Sequence, residues 1–426
     1  MNYSRRNFLG VIGGGLALAA GRTSAQGAGT GLRMGVIGVG WYGMVDARAA
    51  LSCGGVEIAA VCDVDSAHAD AAATELEKQQ GKRPATFKLY EEMLATGDLD
   101  AVIIATPPHW HALQLMAALE KGLDVYLEKP ISYDVREGQA MVDAVRKSGR
   151  VVQVGFQRRQ AEGYHQAAEF IRSGGIGRVV QVDAQIHYNA ATLDPKPKDP
   201  PQTLDWDLWC GPGPKIPYSE QVGHKNWRLE KTSGHGHLVD WGIHLIDAIR
   251  LITGAPMPKR FVTVGGLQKL AGIITTPDTL TAHFEFEGFP LVWRHRLWGA
   301  TEYDPTTSNG VFFYGEEGTL FATDKKWVVL KGKGKDVVRE EHEAAGDAGK
   351  AHMADFLGAV RERRPTACPI EEGFKSTATV QLAMIAYETG APVEWDEAAK
   401  QIKGNEDGAK LLKREYRKPW THPSSA

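Results

Sequence analysis

The sequence predicts an α/β protein of two domains, an N-terminal doubly wound parallel sheet and a C-terminal α+β domain with an open, largely antiparallel sheet. Three observations predict this fold class. Short apolar strands alternate with helical segments over residues 32–157. A glycine-rich turn follows the first strand. Over residues 158–398 the pattern changes to strands of alternating polarity joined by turns. We expect residues 399–426 to form a C-terminal tail.

The elements of the first domain follow from their composition. Apolar runs bounded by turn residues are typical of buried parallel strands, and alanine- and charge-rich segments between them are typical of helices. The predicted strands are 32–37, 56–62, 101–105, 124–128 and 151–156, and the predicted helices are 44–51, 69–80, 111–120 and 135–147.

The turn after the first strand has the chemistry of a dinucleotide site. Residues 38–43 read GVGWYG, a GxGxxG turn that opens a helix, and the second strand ends at Asp63. Glycines let the backbone approach a pyrophosphate, which the free N–H groups of the helix N-terminus bind. A carboxylate at Asp63 would accept hydrogen bonds from the adenosine ribose and repel a 2′-phosphate. The pattern therefore predicts a site that prefers NAD to NADP.

A leader precedes the two domains. Residues 4–9 read SRRNFL, which is typical of a twin-arginine export signal, and a short apolar stretch and the small residues 23–25 follow. The apolar stretch is shorter than the roughly 20 residues that cross a bilayer. We expect residues 1–25 to direct a folded protein to the twin-arginine export machinery, with a periplasmic or otherwise exported destination. The sequence leaves open whether the leader is cleaved or stays as a tether.

Charge and cysteine content exclude several classes of protein. The net charge is −3, and the leader carries three arginines and no acid, so the rest of the chain is more acidic. This argues against nucleic-acid binding, which needs a basic surface. The four cysteines, Cys53, Cys62, Cys210 and Cys368, lie far apart without a CxxC pair, and so predict neither a zinc site nor a disulfide scaffold. No segment after the leader resembles a membrane span.

Four motifs carry a resemblance to a known family. They are TPPHWH at 106–111, EKP at 128–130 after a strand, VGFQRR at 154–159, and GHLVDWGIHLID at 236–247. In this order they resemble the Gfo/Idh/MocA family, which includes glucose-fructose oxidoreductase, inositol dehydrogenase and the rhizopine-catabolism protein MocA. The resemblance covers nearly the whole chain after the leader. The motifs are specific to the family and not to a substrate.

The resemblance implies a catalytic set of Lys129, Asp240 and His244, and a cis peptide before Pro130. Asp240 and His244 are four residues apart in an expected helix, so they share one face, where the carboxylate could hold the imidazole or raise its pKa. Lys129 would polarise the oxygen of a secondary alcohol whose hydride passes to the nicotinamide. Expected cofactor contacts are Gly38, Gly40, Trp41, Tyr42, Gly43, Asp63, Thr106, Pro107, His111, Glu128 and Lys129.

Two extra histidines distinguish this chain from many relatives, which carry glycines before the Asp–His pair. Residues 233–237 read SGHGH, so His235 and His237 lie beside the expected active site. With Asp240 and His244 they have the residue types of a metal site. The alternatives to a metal site are substrate hydrogen bonding and simple packing of the loop. Because the resemblance implies a metal-free mechanism, we expect no metal there.

The second domain supplies the expected substrate contacts. Strands are predicted at 178–187, 279–286, 291–297, 312–315, 320–323 and 327–330. A proline-stiffened loop at 194–201 leads to several tryptophans, whose indole faces suit the C–H faces of sugars. In the family such a sheet supports a homo-dimer or homo-tetramer. Expected substrate contacts are Arg158, His187, Trp227, Arg228 and His237.

These observations favour an exported oxidoreductase with tightly bound NAD, acting on a secondary hydroxyl of a sugar, glycoside or polyol. A second hypothesis is a redox-neutral glycosidase that oxidises, eliminates, adds water and re-reduces. A third is a non-catalytic sugar sensor, which retention of Lys129, Asp240 and His244 disfavours. The sequence names neither the sugar nor the carbon oxidised.

Overall fold

A computed structural model describes residues 31–299, 302–332 and 334–423 of the chain. The leader predicted at residues 1–25 lies outside these residues. Among the described residues, no helix combines the length and the apolar character needed to cross a membrane.

The first domain is a parallel sheet of six strands with helices between them, which confirms the predicted doubly wound fold. The strand order is β3-β2-β1-β4-β5-β6. Its strands are β1 (Leu32–Ile37), β2 (Val56–Cys62), β3 (Ala85–Phe87), β4 (Ala101–Ile104), β5 (Asp124–Leu127) and β6 (Val152–Val154). Its helices are α1 (Tyr42–Cys53), α2 (Ser66–Gln80), α3 (Tyr90–Ala95), α4 (His111–Glu120) and α5 (Val135–Ser148).

The strand order explains where the site lies. β1 pairs in parallel with both β2 and β4, so successive connections leave the middle of the sheet in opposite directions. A crevice forms at the carboxyl ends of the strands where this reversal occurs. All four residues of β4 and of β5 are buried, as expected for strands covered by helices on both faces. The crevice therefore lies on a rigid base.

The second domain contains a mixed sheet of ten strands in the order β14-β13-β12-β11-β7-β10-β9-β8-β15-β16. β7 and β10 pair in parallel, and the other pairs are antiparallel, which confirms the largely antiparallel sheet. The strands are β7 (Val179–His187), β8 (Arg260–Gly266), β9 (Thr279–Phe286), β10 (Phe289–Arg296), β11 (Asn309–Gly315), β12 (Gly318–Ala322), β13 (Lys326–Lys331), β14 (Val338–Glu343), β15 (Val393–Asp396) and β16 (Gln401–Lys403).

The helices of the second domain also tie it to the first. They are α6 (Glu162–Arg172), α7 (Trp206–Cys210), α8 (Ile243–Thr253), α9 (Ala348–Glu362), α10 (Ile370–Thr389) and α11 (Glu406–Lys410). Met353, Phe356 and Leu357 of α9 belong to the core cluster that includes α1 and the buried faces of β1 and β2. The two domains therefore share apolar core, which fixes the walls of the crevice between them.

The segment 399–426, delimited as a tail by sequence, carries β16 and α11 and then returns to the first domain. Leu412 is buried in the main core cluster. Arg414 donates to Glu137 Oε1 at 3.0 Å, and His422 Nε2 lies 2.9 Å from Asp134 Oδ2. These contacts carry the chain end across α5 towards the crevice.

Candidate active site

The glycine turn has the shape that a pyrophosphate requires. Gly38 has a φ of 87°, and a Cβ on it would lie 2.8 Å from the backbone nitrogen of Thr106. A Cβ on Gly43 would lie 2.0 Å from the Gly38 carbonyl oxygen. α1 begins at Tyr42 with no capping side chain and no acid in its first turn. Its N–H groups are therefore available to an anion, and the residues present fit a bound dinucleotide.

Asp63 lies at the end of β2 beside this turn. Its Oδ2 accepts from the backbone of Val39 and its Oδ1 from the backbone of Asp65, both at 2.9 Å. Burial raises the pKa of Asp63 above its ordinary value, and the two backbone hydrogen bonds oppose that rise. The carboxyl group lines the cavity in front of the glycine turn, as expected for a ribose contact.

The cofactor cavity, of about 1070 Å³ including open solvent, has walls from both domains. The first domain contributes the predicted Gly38, Gly40, Trp41, Tyr42, Asp63, Thr106 and Pro107. The far wall includes Trp110 of the motif at 106–111 and the expected substrate residue Trp227, together with Leu204, Trp209, His224 and Trp420, which the motifs did not indicate. Trp420 packs edge-on against Trp110 with ring centroids 5.5 Å apart. The sequence signal for Trp209 was the group of tryptophans that follows the proline-stiffened loop.

A second cavity, the catalytic cleft, continues from the first. Its volume is about 1740 Å³, including open solvent. Several residues line both cavities, namely Trp41, Tyr42, Thr106, Trp227 and Arg228. Lys129, Asp240 and His244 line the catalytic cleft, together with Glu128 and Arg158. The structure therefore brings the three expected catalytic residues together next to the cofactor cavity. Small residues of the segment 344–349 form part of the opposite wall, which sequence reasoning missed.

Lys129 and Asp240 are in direct contact. Lys129 Nζ donates to the carbonyl oxygen of Asp240 at 2.6 Å and to its Oδ1 at 3.1 Å. The Lys129–Pro130 peptide is cis, as the resemblance implied. Burial alone would raise the pKa of Asp240, but the cations of Lys129 and Arg228 outweigh it and hold that pKa below its ordinary value. Asp240 is therefore an ionised anchor for Lys129 at neutral pH.

Arg228 links this anchor to the glycine turn. Its Nε lies 3.0 Å from Asp240 Oδ2, and its guanidinium lies 4.3 Å from the ring centroid of Trp227 and 5.1 Å from that of Trp41. A guanidinium between two indole faces is held in place by cation–π attraction. The second domain thus contacts the cofactor turn through Arg228 and also through Lys225, whose Nζ lies 5.3 Å from the ring centroid of Trp41.

His244 differs from the expectation that Asp240 would hold its imidazole. Asp240 lies in a π-helical turn, Leu238–Gly242, and His244 lies in α8. Both carboxylate oxygens of Asp240 are taken by the cations Lys129 and Arg228. The pKa of His244 is not raised but held well below its ordinary value by burial, and further by Lys129 and Arg158. His244 is therefore a neutral imidazole, able to accept a proton.

Two further predicted cofactor residues, His111 and Glu128, are buried. His111 is buried, and its ring nitrogens lie 2.8 Å from the Pro130 carbonyl oxygen and 2.7 Å from that of Thr106. It therefore holds together the two turns that carry Thr106 and Lys129. Glu128 accepts from Gln157 Nε2 at 2.6 Å, and burial raises its pKa to about 7.

The predicted substrate residues divide into two groups. Arg158, Trp227 and Arg228 line the catalytic cleft. His187 lies instead in a separate cavity with Arg296 and Glu302.

His237 does not reach the catalytic cleft either. It is 1% exposed and packs against His295 and beneath Tyr188, with ring centroids 5.1 and 4.9 Å away. The position of His187 at a strand end and that of His237 in a loop do not by themselves determine the orientation of either imidazole. Packing against neighbouring rings determines the orientation of His237.

The extra histidines do not form a cluster of metal ligands in the structure. His235 Nε2 lies 2.7 Å from the Tyr133 carbonyl oxygen, and its ring packs on that of Tyr133. Within the described ranges, two groups could hold a metal ion, Asp65 with His68 and His224, and Asp134 with Glu137 and His422. Neither includes His235 or His237.

Comparison with known proteins agrees with this architecture. Residues 32–156 match the family model described as "Oxidoreductase family, NAD-binding Rossmann fold", and residues 186–422 match "Oxidoreductase family, C-terminal alpha/beta domain". Inositol 2-dehydrogenase of Salmonella typhimurium is 36% identical over 171 residues, 40% of this chain and 49% of that protein. The rhizopine catabolism protein MocA of Rhizobium meliloti is 26% identical over 252 residues, 59% of this chain and 66% of that protein.

A solved structure extends the likeness to the whole fold. Aldose-aldose oxidoreductase of Caulobacter crescentus superposes with a TM-score of 0.66 at 18% identity, over 85% of this chain and 99% of that one. The chain spans about half the length of the inositol dehydrogenases it matches. The second family model alone covers more than half of the chain. The chain therefore belongs to the Gfo/Idh/MocA oxidoreductase family, with an NAD-binding Rossmann domain followed by the C-terminal α/β domain of that family.

Proposed function

We propose that this protein is an exported, NAD-dependent oxidoreductase that acts on a secondary hydroxyl of a sugar, glycoside or polyol and keeps its cofactor tightly bound. The observation that carries the proposal is the contact of Lys129 Nζ with Asp240, 2.6 Å from the carbonyl oxygen, in a cleft that His244 also lines and that opens into the NAD cavity. An ammonium and a neutral imidazole in one cleft can polarise an alcohol and take its proton.

Each residue has a separate task. NAD, when bound, supplies the hydride acceptor. Lys129 donates a hydrogen bond to the alcohol oxygen and stabilises charge on it, while Asp240 fixes the ammonium in position. His244 is the group in position to accept the hydroxyl proton, because it lines the same cleft and its ring is neutral. Arg158 and Trp241 offer a guanidinium and an indole face to the hydroxyls and C–H face of a sugar.

Export and cofactor retention support each other. The leader at residues 1–25 is typical of a route that carries folded proteins, so the cofactor would be loaded before export. Outside the cytoplasm a lost cofactor would not be replaced. A cavity walled by both domains, with Trp209, His224 and Trp420 in front of the glycine turn, favours slow release. A redox-neutral cycle, with a second sugar or with the same substrate, would restore NAD in place.

The test begins with the full-length protein purified without added cofactor. We expect near-stoichiometric NAD or NADH, released only on denaturation and identified by mass spectrometry. Incubation with a panel of glycosides, sugars and polyols should then reduce the bound cofactor, seen in its near-ultraviolet absorbance. An empty protein with a millimolar Kd for NAD would contradict the retained cofactor and cast doubt on export.

The products separate the oxidoreductase from the glycosidase. A dehydrogenase or sugar–sugar oxidoreductase yields a keto sugar or lactone and leaves the glycosidic bond intact. Release of an aglycone without any electron acceptor would favour the redox-neutral glycosidase instead.

Export is tested by fractionating cells that express the chain with Arg5 and Arg6 changed to Lys. This variant should stay in the cytoplasm, whereas the unchanged chain should be exported.

A further inference from the structure

Three potential metal ligands meet where α2 begins, on the wall of the cofactor cavity. The ligand atoms of Asp65, His68 and His224 all lie within 4.8 Å of one another. His68 and His224 line the cofactor cavity, whereas Lys129, Asp240 and His244 line the catalytic cleft. The group is therefore separate from the catalytic set.

The two domains hold these ligands in place. Asp65 is the N-cap of α2, with Oδ1 accepting from the backbone of Ala67 at 3.0 Å, and His68 lies in the first turn. His224 comes from the second domain, on the segment that follows α7.

This second-domain segment is anchored beside α2. The backbone nitrogen of Ser66 donates to the Thr203 carbonyl oxygen at 3.0 Å, and that of Asp205 to the Val64 carbonyl oxygen at 3.0 Å. The ligands thus belong to a preformed contact between domains rather than to mobile surface side chains.

Ordinary protein contacts do not satisfy the two imidazoles. Neither ring makes a hydrogen bond to another residue of the described chain, and the two rings lie side by side with centroids 4.5 Å apart and planes tilted by 53°. His224 Nε2 lies 3.6 Å from Asp65 Oδ2, beyond hydrogen-bond range but within reach of a shared ion.

We propose that Asp65, His68 and His224 bind a divalent transition-metal ion such as Zn²⁺ at the junction of the two domains. Two imidazole nitrogens and one carboxylate oxygen suit Zn²⁺, Co²⁺ or Ni²⁺ and disfavour Mg²⁺ and Ca²⁺, which prefer oxygen ligands. Three protein ligands leave one coordination position for water. Because both imidazoles line the cofactor cavity, that position faces the cavity.

The ion would cross-link the two domains. It would join the segment carrying His224 to α2 and so stabilise the far wall of the cofactor cavity. Its positive charge would lie near the glycine turn, since a Cβ on Gly40 would be 2.9 Å from His68 Nδ1. Metal binding and cofactor retention are therefore expected to reinforce each other, although the metal site does not depend on the proposed reaction.

The experiment titrates Co²⁺ into the full-length holoprotein after chelator treatment and follows the visible d–d absorption, with Zn²⁺ as competitor. We expect one Co²⁺ per chain, displaced by Zn²⁺ and not by Mg²⁺. His68→Gln and His224→Gln should each weaken binding by at least the roughly 10–100-fold that losing an outer partner of a metal ligand costs. Asp65→Asn keeps the capping oxygen, removes the charge and should also weaken binding.

His165→Gln provides the matched control, because His165 is exposed on α6 and away from the group. Circular dichroism of each variant without metal establishes that it is folded. Binding that is no tighter than millimolar, or that His165→Gln weakens as much as His224→Gln does, would overturn the proposal. Because the readout is absorption by the metal, a failure here leaves the proposed dehydrogenase reaction untouched, and an inactive enzyme leaves the metal site untouched.

Discussion

At Lys129 the chain places an ammonium group 2.6 Å from the Asp240 carbonyl oxygen, in the catalytic cleft. Lys129→Met keeps the length of the side chain and removes its charge. We expect kcat to fall by on the order of 10²–10⁴-fold, the usual effect of losing a positioned acid or base. Bound cofactor should remain near stoichiometric, because Lys129 lines the catalytic cleft and not the cofactor cavity.

Lys325→Met is the matched control for this substitution. Lys325 lines the same cleft but is exposed and does not contact Asp240. The kcat of the Lys325→Met variant should stay within a few-fold of the kcat of the unchanged enzyme. A Lys129→Met protein with more than half of the normal activity would remove Lys129 from the mechanism.

Asp63 tests the choice of cofactor. Replacement by Ser removes the carboxylate that would repel a 2′-phosphate, so we expect the ratio of NAD to NADP affinities to narrow. The backbone hydrogen bonds from Val39 and Asp65 lose their acceptors as well, so overall affinity should also fall. Fluorescence titration of apoprotein with both cofactors measures the ratio. Tighter binding of NADP than of NAD by the unchanged protein would show that Asp63 has another role.

The candidate site was largely predictable at residues carried by motifs. Lys129 and Asp63 follow the ends of strands, Asp240 lies in the motif at 236–247, and each lines a cavity of the site. Arg228, expected from its place beside Trp227, lines the catalytic cleft as well. His237 does not lie where the sequence placed it, because nothing in the segment SGHGH indicates which imidazole turns inward against Trp293 and His295.

At the scale of elements, the turn between β1 and α1 depends on close backbone approach. Gly43→Ala would place a Cβ 2.0 Å from the Gly38 carbonyl oxygen, so the turn and the start of α1 must separate. Overpacking of this kind costs roughly 1–3 kcal/mol. Because NAD binding requires this tight turn, the same free-energy cost should lower the affinity for NAD by about 5–150-fold, measured by titration of the apoprotein.

Gly358→Ala in α9 is the control for this loop. Its Cβ would meet only the flexible end of Arg364, 3.0 Å away, and alanine favours a helix. NAD affinity should therefore stay unchanged. Equal losses in the two variants would mean that the effect of Gly43→Ala is a general loss of stability and not a property of the turn.

Elements with strong periodicity were predicted and weakly patterned ones were not. The predicted helix 111–120 and strand 279–286 coincide with α4 and β9. β14 was missed because five of its six residues are polar and the strand is largely exposed, so it lacks an apolar signature. β16 was missed because it has only three residues, of which Ile402 alone is buried.

At the scale of the whole molecule, buried histidines couple stability to pH. His352 belongs to α9, is 0% exposed and has its Nε2 2.8 Å from the carbonyl oxygen of Val154 in β6. Burial lowers its pKa from 6.5 to about 4, although the hydrogen bond to Val154 opposes this. As pH falls from 6.5 towards 4, the unfolded chain binds a proton that the folded protein does not, so stability present above pH 6.5 is lost over this window.

His352→Gln isolates this contribution. The variant should be less stable than the unchanged protein near neutral pH. The difference between their free energies of unfolding should shrink towards pH 4, by about 3 kcal/mol over the whole window. Urea unfolding across the window measures it, because the other titrating groups cancel in the comparison. His165→Gln, at an exposed position of α6, should leave the pH dependence unchanged. A difference that is constant or grows on acidification would contradict a neutral buried His352.

The sequence by itself determined the doubly wound domain and the cofactor class, and through the family resemblance it predicted the catalytic set of Lys129, Asp240 and His244. These depend on periodicity and on short motifs, in which the residues that act together are close along the chain or follow successive parallel strands. Only the tertiary structure decided that Asp240 contacts Lys129 and Arg228 instead of His244, and that His224 and Trp420 reach the cofactor cavity. The contact of Asp240 with Lys129 joins residues 111 positions apart, and His224 and Trp420 are far along the chain from the glycine turn. Packing of distant segments brings these residues together, and such packing leaves no local pattern in the sequence.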